Sequence, residues 1–363
     1  IVEDVACTAS VFKLHSQTWL DESQVDRPVW EHWLSIIAPP SAHPSRALMF
    51  ITGGSNHDGE APDPDEALMQ VAIMTNTVTA CLAQVPNEPL HFADEWDEQY
   101  MESGRREDEL IGFAWDQYLN GADAEWLPRL PMTKATVRAM DVVQREHPSI
   151  EEFVVVGASK RGWTTWTVGA VDDRVLAMVP AVIDVVNLVP SLDNHFSAYG
   201  FWAPATHDYV DTGALQRLHT PEFAEMCEII DPYSYLERYT MPKYMVNSTG
   251  DQFFTPDSWK FYFDDLPGEK HLCYMPNTDH DLNDQAYYNL GSFHHAVIND
   301  TPRPVYDWHM EADGNLVLDC ETEPNHVRLW QATNPDARDF RLEEIGAVWE
   351  STTLSPDADG VYR

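Results

Sequence analysis

The residue with the clearest chemical potential in this sequence is a serine that stands between a predicted strand and a predicted helix. The apolar run Phe153–Val156 leads directly into Gly157, Ala158 and Ser159, and an amphipathic segment follows. A sharp turn between a buried strand and a helix lifts a serine oxygen above the edge of a sheet, where it acts as a nucleophile. The usual Gly-x-Ser-x-Gly pattern is altered in one place, because the second glycine comes one residue late, at Gly162.

Two later segments supply an acid and a base for such a serine. Lys243–Thr249 is a predicted strand that runs into Gly250 and Asp251, and Lys270–Met275 is a predicted strand that runs into the loop of His280. Loops that follow neighbouring parallel strands lie at the same edge of a sheet, so both side chains are expected near the serine. The chain order serine, aspartate, histidine is the order of the α/β-hydrolase fold.

The three side chains divide the work of acyl transfer. A serine hydroxyl is a weak nucleophile near neutral pH, so His280 is predicted to take its proton while Asp251 orients the imidazole. Two backbone N–H groups are predicted to hold the oxyanion. One belongs to Lys160, directly after the serine, and the other to Gly54 or Ser55 in the loop after an earlier strand. This mechanism needs no cofactor.

Other residues compete for the roles of acid and base. Asp184 lies near the end of the strand after the serine, where some hydrolases carry their acid. We favour Asp251 and interpret Asp184 as a buried, hydrogen-bonded group close to the site. His280 has rivals elsewhere in the sequence: His271, His294 and His295. The acidic residues around His280 lack a tight ligand spacing, so no metal site is predicted.

Strands and helices alternate along most of the chain, which indicates a doubly wound, mostly parallel sheet of the α/β-hydrolase class. Predicted strands are Val11–Leu20, Val29–Ile37, Ala47–Thr52, Val78–Val85, Phe153–Val156, Ala177–Val186, Lys243–Thr249 and Lys270–Met275. Predicted helices are Asp65–Thr75, Glu107–Leu119, Thr133–Glu146, Trp163–Val171, Trp259–Leu266 and Asp284–Ile298.

Two regions depart from this alternation. We assign residues 1–300 to the α/β-hydrolase domain, with an aromatic-rich lid insertion at about 188–240, because long insertions in this position commonly cover a site. Residues 301–363 are predicted to be a small β-rich domain of sandwich type that ends in an interrupted strand. The short predicted strands of this region are Val305–Met310, Asn315–Cys320, His326–Ala332 and Phe340–Glu343.

The lid and its surroundings supply candidate substrate-binding residues. An aromatic wall is predicted from His195, Phe196, Tyr199, Trp202 and Tyr209, with Asp184 beside it. Acidic lid residues that could grip a cation are Glu222, Glu225 and Glu228. Lys160 and Arg161 could instead bind an anionic group, but we expect Arg161 to pair with a nearby acid such as Asp184.

Composition limits the classes of partner. The formal net charge of −38 is spread along the chain and repels nucleic acid and anionic membrane surfaces, and there is no apolar run long enough for a membrane span. Five scattered cysteines show no paired spacing that would suggest structural zinc. The sequence begins at Ile1 without a methionine, which fits a removed leader peptide, so we expect an exported protein of unknown oligomeric state.

Several of these segments closely resemble the PhoPQ-activated pathogenicity-related proteins, which include the autocrine proliferation repressor group. The similar segments are Gly157–Trp166, Val179–Asn187, Asn247–Phe254, Pro276–His280, Val327–Pro335 and Ala337–Arg341. The resemblance implies an α/β-hydrolase core, a small β domain behind it and export. It also implies that Arg161 belongs to the family's own version of the serine motif.

The sequence therefore predicts a serine hydrolase that acts on a small molecule or a peptide. An esterase for a small or polar ester is the first hypothesis, and a serine peptidase of the aminopeptidase or dipeptidyl-peptidase type is the second. A third hypothesis is an exported signalling or binding protein with an inactive hydrolase core, which the presence of Ser159, Asp251 and His280 disfavours.

Overall fold

The computed structural model describes residues 6–57 and 59–363, so Ile1, on which the expected leader removal rests, lies outside the described residues. The strands of the main sheet are β1 Thr8–Thr18, β2 Val29–Ala38, β3 Arg46–Ile51, β4 Val78–Leu82, β5 Glu152–Ala158, β6 Val175–Ala181, β7 Lys243–Ser248 and β8 Lys270–Met275. The helices are α1 Glu66–Thr75, α2 Glu98–Ser103, α3 Glu107–Leu119, α4 Arg129–Glu146, α5 Lys160–Val171, α6 Leu188–Tyr199, α7 His207–Asp211, α8 Pro221–Ile230, α9 Asp284–Ile298 and α10 Leu342–Ile345.

The main sheet has eight strands in the order β1-β2-β4-β3-β5-β6-β7-β8. β1, β2 and β4 pair in antiparallel fashion, and the pairings from β4 through β3 to β8 are all parallel. The predicted α/β-hydrolase class is confirmed. The parallel strands bring their carboxyl ends to one edge, which is where the loops with the candidate site residues begin.

The central strands are apolar because both of their faces are covered. In β5, Phe153 and Val155 belong to one buried cluster and Val154 and Val156 to another. The first cluster includes side chains of α3, α4 and α5, and the second includes side chains of α1 and α9. Successive residues of a strand point to opposite faces, so a strand buried between two helical layers reads as an unbroken apolar run.

The lid region is helical, which the sequence pattern did not predict. α6, α7 and α8 with intervening 3-10 turns fill the insertion between β6 and β7. The residues at the helix ends explain why the sequence pattern is broken. α8 begins at Pro221, directly after Thr220, and the Thr220 side chain accepts a hydrogen bond from the Phe223 N–H. α6 is followed by Gly200, whose backbone is in the left-handed region. No helix in residues 6–57 and 59–363 has the length and apolarity needed to cross a membrane.

The C-terminal region contains two two-stranded antiparallel sheets. Its strands are β9 Tyr306–Met310, β10 Leu316–Cys320, β11 Val327–Gln331 and β12 Glu350–Leu354. The prediction of a fourth strand at 340–343 is wrong, because α10 occupies part of that segment and β12 follows it. Trp308 of β9 packs edge-on against Trp259 of the main domain at 4.7 Å between ring centroids, so the two regions are in direct contact.

Candidate active site

Ser159 stands at the junction of β5 and α5 in a strained backbone conformation. Its φ of 55° and ψ of −127° lie in a region that residues other than glycine rarely adopt. The turn is tight, since a Cβ on Gly157 would lie 2.4 Å from the carbonyl oxygen of Arg161. A Cβ on Gly162 would lie 2.8 Å from the Ile183 side chain. The two glycines therefore allow the helix to start directly above the strand, as the sequence predicted.

Because the Gly157 backbone lies so close to the Arg161 carbonyl, we expect Gly157→Ala to lower the stability strongly. The added methyl group meets a backbone carbonyl that cannot move without shifting α5, so we expect the free energy of unfolding to fall by about 1–3 kcal/mol. Gly291→Ala in α9 is the matched control, because a Cβ added at Gly291 would have no other atom within 4 Å, and alanine there should stabilise the helix by about 0.5–1 kcal/mol. Urea unfolding of both variants measures the difference, and equal effects would contradict the proposed tight turn.

Asp251 and His280 meet at the same edge of the sheet. The Asp251 carboxylate accepts a hydrogen bond from Nδ1 of His280 at 2.8 Å through Oδ2, while its Oδ1 accepts from the Phe253 N–H at 2.7 Å. Asp251 is 3% exposed. The backbone N–H of His280 donates to the side chain of Gln252 at 3.0 Å, and the Phe253 ring lies 4.5 Å from the imidazole. The loop after β7 therefore holds the histidine from three sides.

The other nitrogen of the imidazole, His280 Nε2, is buried and has no hydrogen-bond partner in the part of the chain that the structure describes. His280 and Ser159 line one cavity of about 460 Å³, together with Gly53, Lys160 and Phe253. The structure thus brings Ser159, Asp251 and His280 to one edge of the sheet, and Ser159 and His280 to one cavity. The imidazole and the serine hydroxyl are not hydrogen-bonded to each other. Such bonds are often long before substrate binds.

The residues predicted to bind the oxyanion through their backbone N–H groups differ in whether they line this cavity. Lys160 is the first residue of α5, so its N–H has no acceptor within the helix. Gly53 lines the cavity, whereas Gly54 and Ser55 are absent from its described lining. The Ser55 carbonyl accepts from the side chain of Gln84 at 2.6 Å, which fixes the loop after β3 from behind. The pattern of the sequence identified the loop but gave no indication of Gln84.

A network of partly buried charges lies beside the turn at Ser159. The Lys160 ammonium contacts Glu107 and Asp108 at 2.8 Å each, and Arg161 contacts Glu107 at 2.6 Å. These cations lower the pKa of Glu107 to about 2 against the opposing effect of its burial. The predicted pairing of Arg161 with Asp184 is wrong, because α3 presents its first carboxylate to Arg161 across the sheet edge. Lys160 is likewise occupied by carboxylates rather than free to bind an anion.

Asp184 is a buried, hydrogen-bonded carboxyl group, as we predicted. Among the described residues it lines neither the cavity of about 460 Å³ nor a second cavity of about 60 Å³ that Ser159 also lines. Tyr262 donates to its Oδ1 at 2.6 Å, and Tyr274 of β8 donates to its Oδ2. These bonds connect the loop after β6 to β8 across β7. Asp184 therefore contacts the framework of the site instead of the space available to substrate.

Burial of Asp184 predicts a pH-dependent stability. Burial raises the pKa of this carboxyl to about 7, although the two tyrosine hydroxyls oppose the shift. Between about pH 4 and pH 7 the unfolded chain loses this proton while the folded protein keeps it, so stability falls as the pH rises. Asp184→Asn should remove that decline. Urea unfolding at pH 5, 6 and 7 would show the gap between wild type and variant change with pH, and the exposed Asp264→Asn should leave the gap unchanged. A pH-independent gap for Asp184→Asn would contradict the expectation.

The structure does not bring most of the predicted lid residues to the cavities. His195 is buried between the Phe253 carbonyl and the Ala203 N–H, and burial lowers its pKa to about 4. Phe196 is 45% exposed and packs against Trp202 at 5.1 Å between ring centroids. Tyr199 lies beside Arg341 of the C-terminal region at 5.3 Å. The predicted cation-binding residues Glu222, Glu225 and Glu228 lie on α8, away from both cavities.

Tyr209 is the member of the predicted wall that does reach a cavity. It lines a second cavity of about 60 Å³ that also contains Ser159, and its hydroxyl donates to Asp108 at 2.7 Å. The other walls of this second cavity come from residues that sequence reasoning missed, among them Trp115 of α3 and Leu192 of α6. Helical apolar residues of this kind look like ordinary core in a sequence, so only their three-dimensional position reveals them.

The C-terminal region contacts the loops that carry Asp251 and His280. The Leu342 N–H of α10 donates to the Gly250 carbonyl at 3.0 Å, directly before Asp251. The side chain of Asn277 exchanges two hydrogen bonds with the backbone of Trp349, each at 2.9 Å. Both loops of the site therefore rest on the segment that follows the main domain.

Comparison with known proteins connects this geometry to a family. The model of the family described as PhoPQ-activated pathogenicity-related protein matches residues 2–341. The chain belongs to this family. It is also 35% identical over 390 residues to autocrine proliferation repressor protein A of Dictyostelium discoideum, an alignment that covers 99% of this chain and 78% of that protein.

Solved structures share the fold at low sequence identity. An acetyl xylan esterase from Paenibacillus sp. R4 is 13% identical and superposes with a TM-score of 0.55 over 80% of this chain and 89% of its own. An acylaminoacyl peptidase from Pyrococcus horikoshii is 12% identical, with a TM-score of 0.51 over 79% of this chain and 41% of its own. These likenesses establish the α/β-hydrolase fold, and they leave the reaction to be argued from the site.

Proposed function

We propose that this protein is a serine hydrolase in which Ser159, His280 and Asp251 form a catalytic triad. The observation that carries the proposal is the state of the His280 imidazole. Asp251 binds Nδ1 at 2.8 Å, and Nε2 is free among the described residues while the ring lines the cavity shared with Ser159. A carboxylate on Nδ1 selects the tautomer with a lone pair on Nε2, which is the form that accepts a proton from serine.

The proposed reaction proceeds through an acyl-enzyme. Ser159 Oγ attacks the substrate carbonyl carbon as its proton passes to His280 Nε2. The N–H of Lys160 and an N–H of the loop at Gly53–Ser55 stabilise the negative oxygen that develops. His280 then returns the proton to the leaving group, and water releases the acyl group from Ser159. The chemistry of these residues needs no cofactor.

An ester is the favoured substrate class, and a peptide is the second candidate. The acetyl xylan esterase matches over 89% of its length, whereas the acylaminoacyl peptidase matches over 41%, so most of the peptidase chain has no counterpart here. A binding protein with an inactive core is disfavoured, because Ser159, Asp251 and His280 are all present and Asp251 contacts His280 at 2.8 Å.

A parallel assay of esters and amides tests this proposal. Purified protein is given p-nitrophenyl acetate and butyrate in one series and aminoacyl p-nitroanilides in the other, with and without prior treatment by a fluorophosphonate. We expect ester hydrolysis that the fluorophosphonate abolishes, with slower or absent anilide hydrolysis. Faster turnover of the anilides would replace the ester proposal with the peptidase, and turnover of neither series would contradict both.

A further inference from the structure

Ser159 lines two cavities of very different size. The larger, of about 460 Å³, is lined by His280 and by residues of α9 such as Tyr287, which is 59% exposed. The smaller, of about 60 Å³, does not have His280 in its described lining. Lys160 and Phe253 contribute to both, so the two spaces meet at the serine.

The proton chemistry of the triad assigns the two ends of a substrate to these cavities. The imidazole that removes the serine proton must afterwards donate it to the departing oxygen. The leaving group therefore lies on the side of His280, in the larger cavity. The acyl group, which stays bonded to Ser159, is left with the smaller cavity.

The walls of the smaller cavity are largely apolar and firmly held. Apolar side chains that line it are Trp115, Trp163, Ile183, Val185, Leu192 and Phe254. The indole N–H of Trp163 donates to the Ile230 carbonyl at 2.6 Å, and its ring packs edge-on against Trp115 at 6.1 Å. Of the charged lining residues, Lys160 and Asp108 are paired with each other at 2.8 Å. The third, Arg129, lies over the Trp163 ring at 4.3 Å and donates to the Lys160 carbonyl, while its Nε has no hydrogen-bond partner among the described residues. Such a surface favours hydrocarbon over a cationic acyl group.

We propose that this smaller cavity is the acyl site and that it limits the enzyme to short acyl groups, while the leaving group can be much larger. The inference rests on the proposed hydrolase function. At about 60 Å³ the smaller cavity offers about one eighth of the space of the larger, at about 460 Å³. We therefore expect acetyl to butyryl groups to fit the smaller cavity and a hexanoyl chain to exceed it.

Each step balances with substrate and water alone. The bond from Ser159 Oγ to the carbonyl carbon forms, the ester C–O bond breaks, and the alcohol leaves with the proton from His280. Water then adds to the acyl carbon, its proton passes through His280 to Ser159 Oγ, and a short carboxylic acid departs.

A chain-length series tests the acyl site directly. p-Nitrophenyl acetate, butyrate, hexanoate and octanoate share one leaving group, so differences in kcat/KM report the acyl side. We expect the highest kcat/KM at acetate or butyrate and a fall of at least about tenfold by hexanoate. A second arm holds acetate constant and varies the alcohol from p-nitrophenol to 4-methylumbelliferone and 1-naphthol. The larger cavity predicts kcat/KM values within about fivefold in that arm.

Enlarging the cavity should move the preference. Leu192→Ala removes three carbons from the wall, and we expect hexanoate to gain on acetate by at least about tenfold in relative kcat/KM. Val185→Ala is a second, smaller enlargement on another element, in case the first variant does not fold. Leu130→Ala is the control, because Leu130 is 41% exposed on α4 and lines neither cavity.

The outcomes separate the inference from the proposed function. If hydrolysis depends on Ser159 but is fastest for hexanoate or octanoate, or if neither enlargement changes the preference, the acyl site is wrong and the hydrolase stands. If hydrolysis of every ester persists unchanged in Ser159→Ala, the proposed function fails and the acyl site with it.

Discussion

Ser159→Ala is expected to abolish both covalent labelling by a fluorophosphonate and turnover of p-nitrophenyl acetate. The residual kcat should lie at least about 10⁴-fold below wild type, since the only oxygen able to form the acyl-enzyme is removed. The change should leave the fold intact, because alanine adds no volume to the turn between β5 and α5. Gel fluorescence after labelling and steady-state kinetics measure the two effects.

Two comparisons make this result interpretable. Ser292→Ala removes a serine hydroxyl on the exposed side of α9, where it donates to the Tyr288 carbonyl, and should label like wild type. Circular dichroism of the Ser159 variant should overlay that of wild type. Labelling of the Ser159 variant at the wild-type level would show that another residue is the nucleophile and would remove the basis of the triad.

Asp251→Asn is expected to lower kcat by about 10³–10⁴-fold while the protein remains folded. In the wild type, Asp251 accepts from Nδ1 of His280 at 2.8 Å and from two backbone N–H groups, those of Phe253 and Phe254. An asparagine keeps the shape and one acceptor oxygen. Its amide N–H instead favours the imidazole tautomer with the proton on Nε2, which cannot accept a proton from Ser159.

The matched control for this experiment is Asp279→Asn, one residue before His280. Asp279 carries a carboxylate in the same loop, and its Oδ1 accepts from the Asp281 N–H rather than from the histidine. Its kcat for p-nitrophenyl acetate should stay within about threefold of wild type. A similar loss in both variants would mean that loop charge, and not the bond to His280, governs the rate. An unaffected Asp251 variant would exclude Asp251 as the acid.

The rival acid can be judged by the same measurement. Asp184 contacts Tyr262 and Tyr274 instead of a histidine. Asp184→Asn should therefore change stability with pH far more than it changes kcat. This contrast between the two aspartates follows from position alone, because both come directly after neighbouring parallel strands and are of the same type.

Local sequence patterns predicted many of the strands and helices of the main domain correctly. Residues Lys270–Met275 and Asp284–Ile298 were predicted with the observed bounds of β8 and α9. Asp65 caps α1 by accepting from the Leu68 N–H at 2.9 Å. Apolar runs and cap residues act within a few residues, so the sequence contains the whole interaction.

In the insertion at 188–240, local sequence patterns did not identify the residues that line the cavities. His195 and Trp202 looked like a substrate wall because aromatic residues in an insertion often contact ligands, yet His195 packs against Trp202 inside the lid at 5.6 Å between ring centroids. The cavity walls came instead from Trp115 and Leu192, on helices far apart in the chain. Which face of a helix meets a distant partner depends on tertiary packing, and no local pattern records it.

Local sequence patterns were enough to predict the strand–turn–helix around Ser159, the placement of Asp251 and His280 at one edge of the sheet, and the class of fold. Each follows from the short-range preferences of glycine, β-branched and capping residues, or from the rule that loops after parallel strands share an edge. Only the packed structure shows that Arg161 binds Glu107, that Asp184 accepts hydrogen bonds from two tyrosines, and that Ser159 lines two cavities of about 460 and 60 Å³. Those features depend on contacts between elements separated by tens of residues, and such contacts are fixed only when the elements pack together.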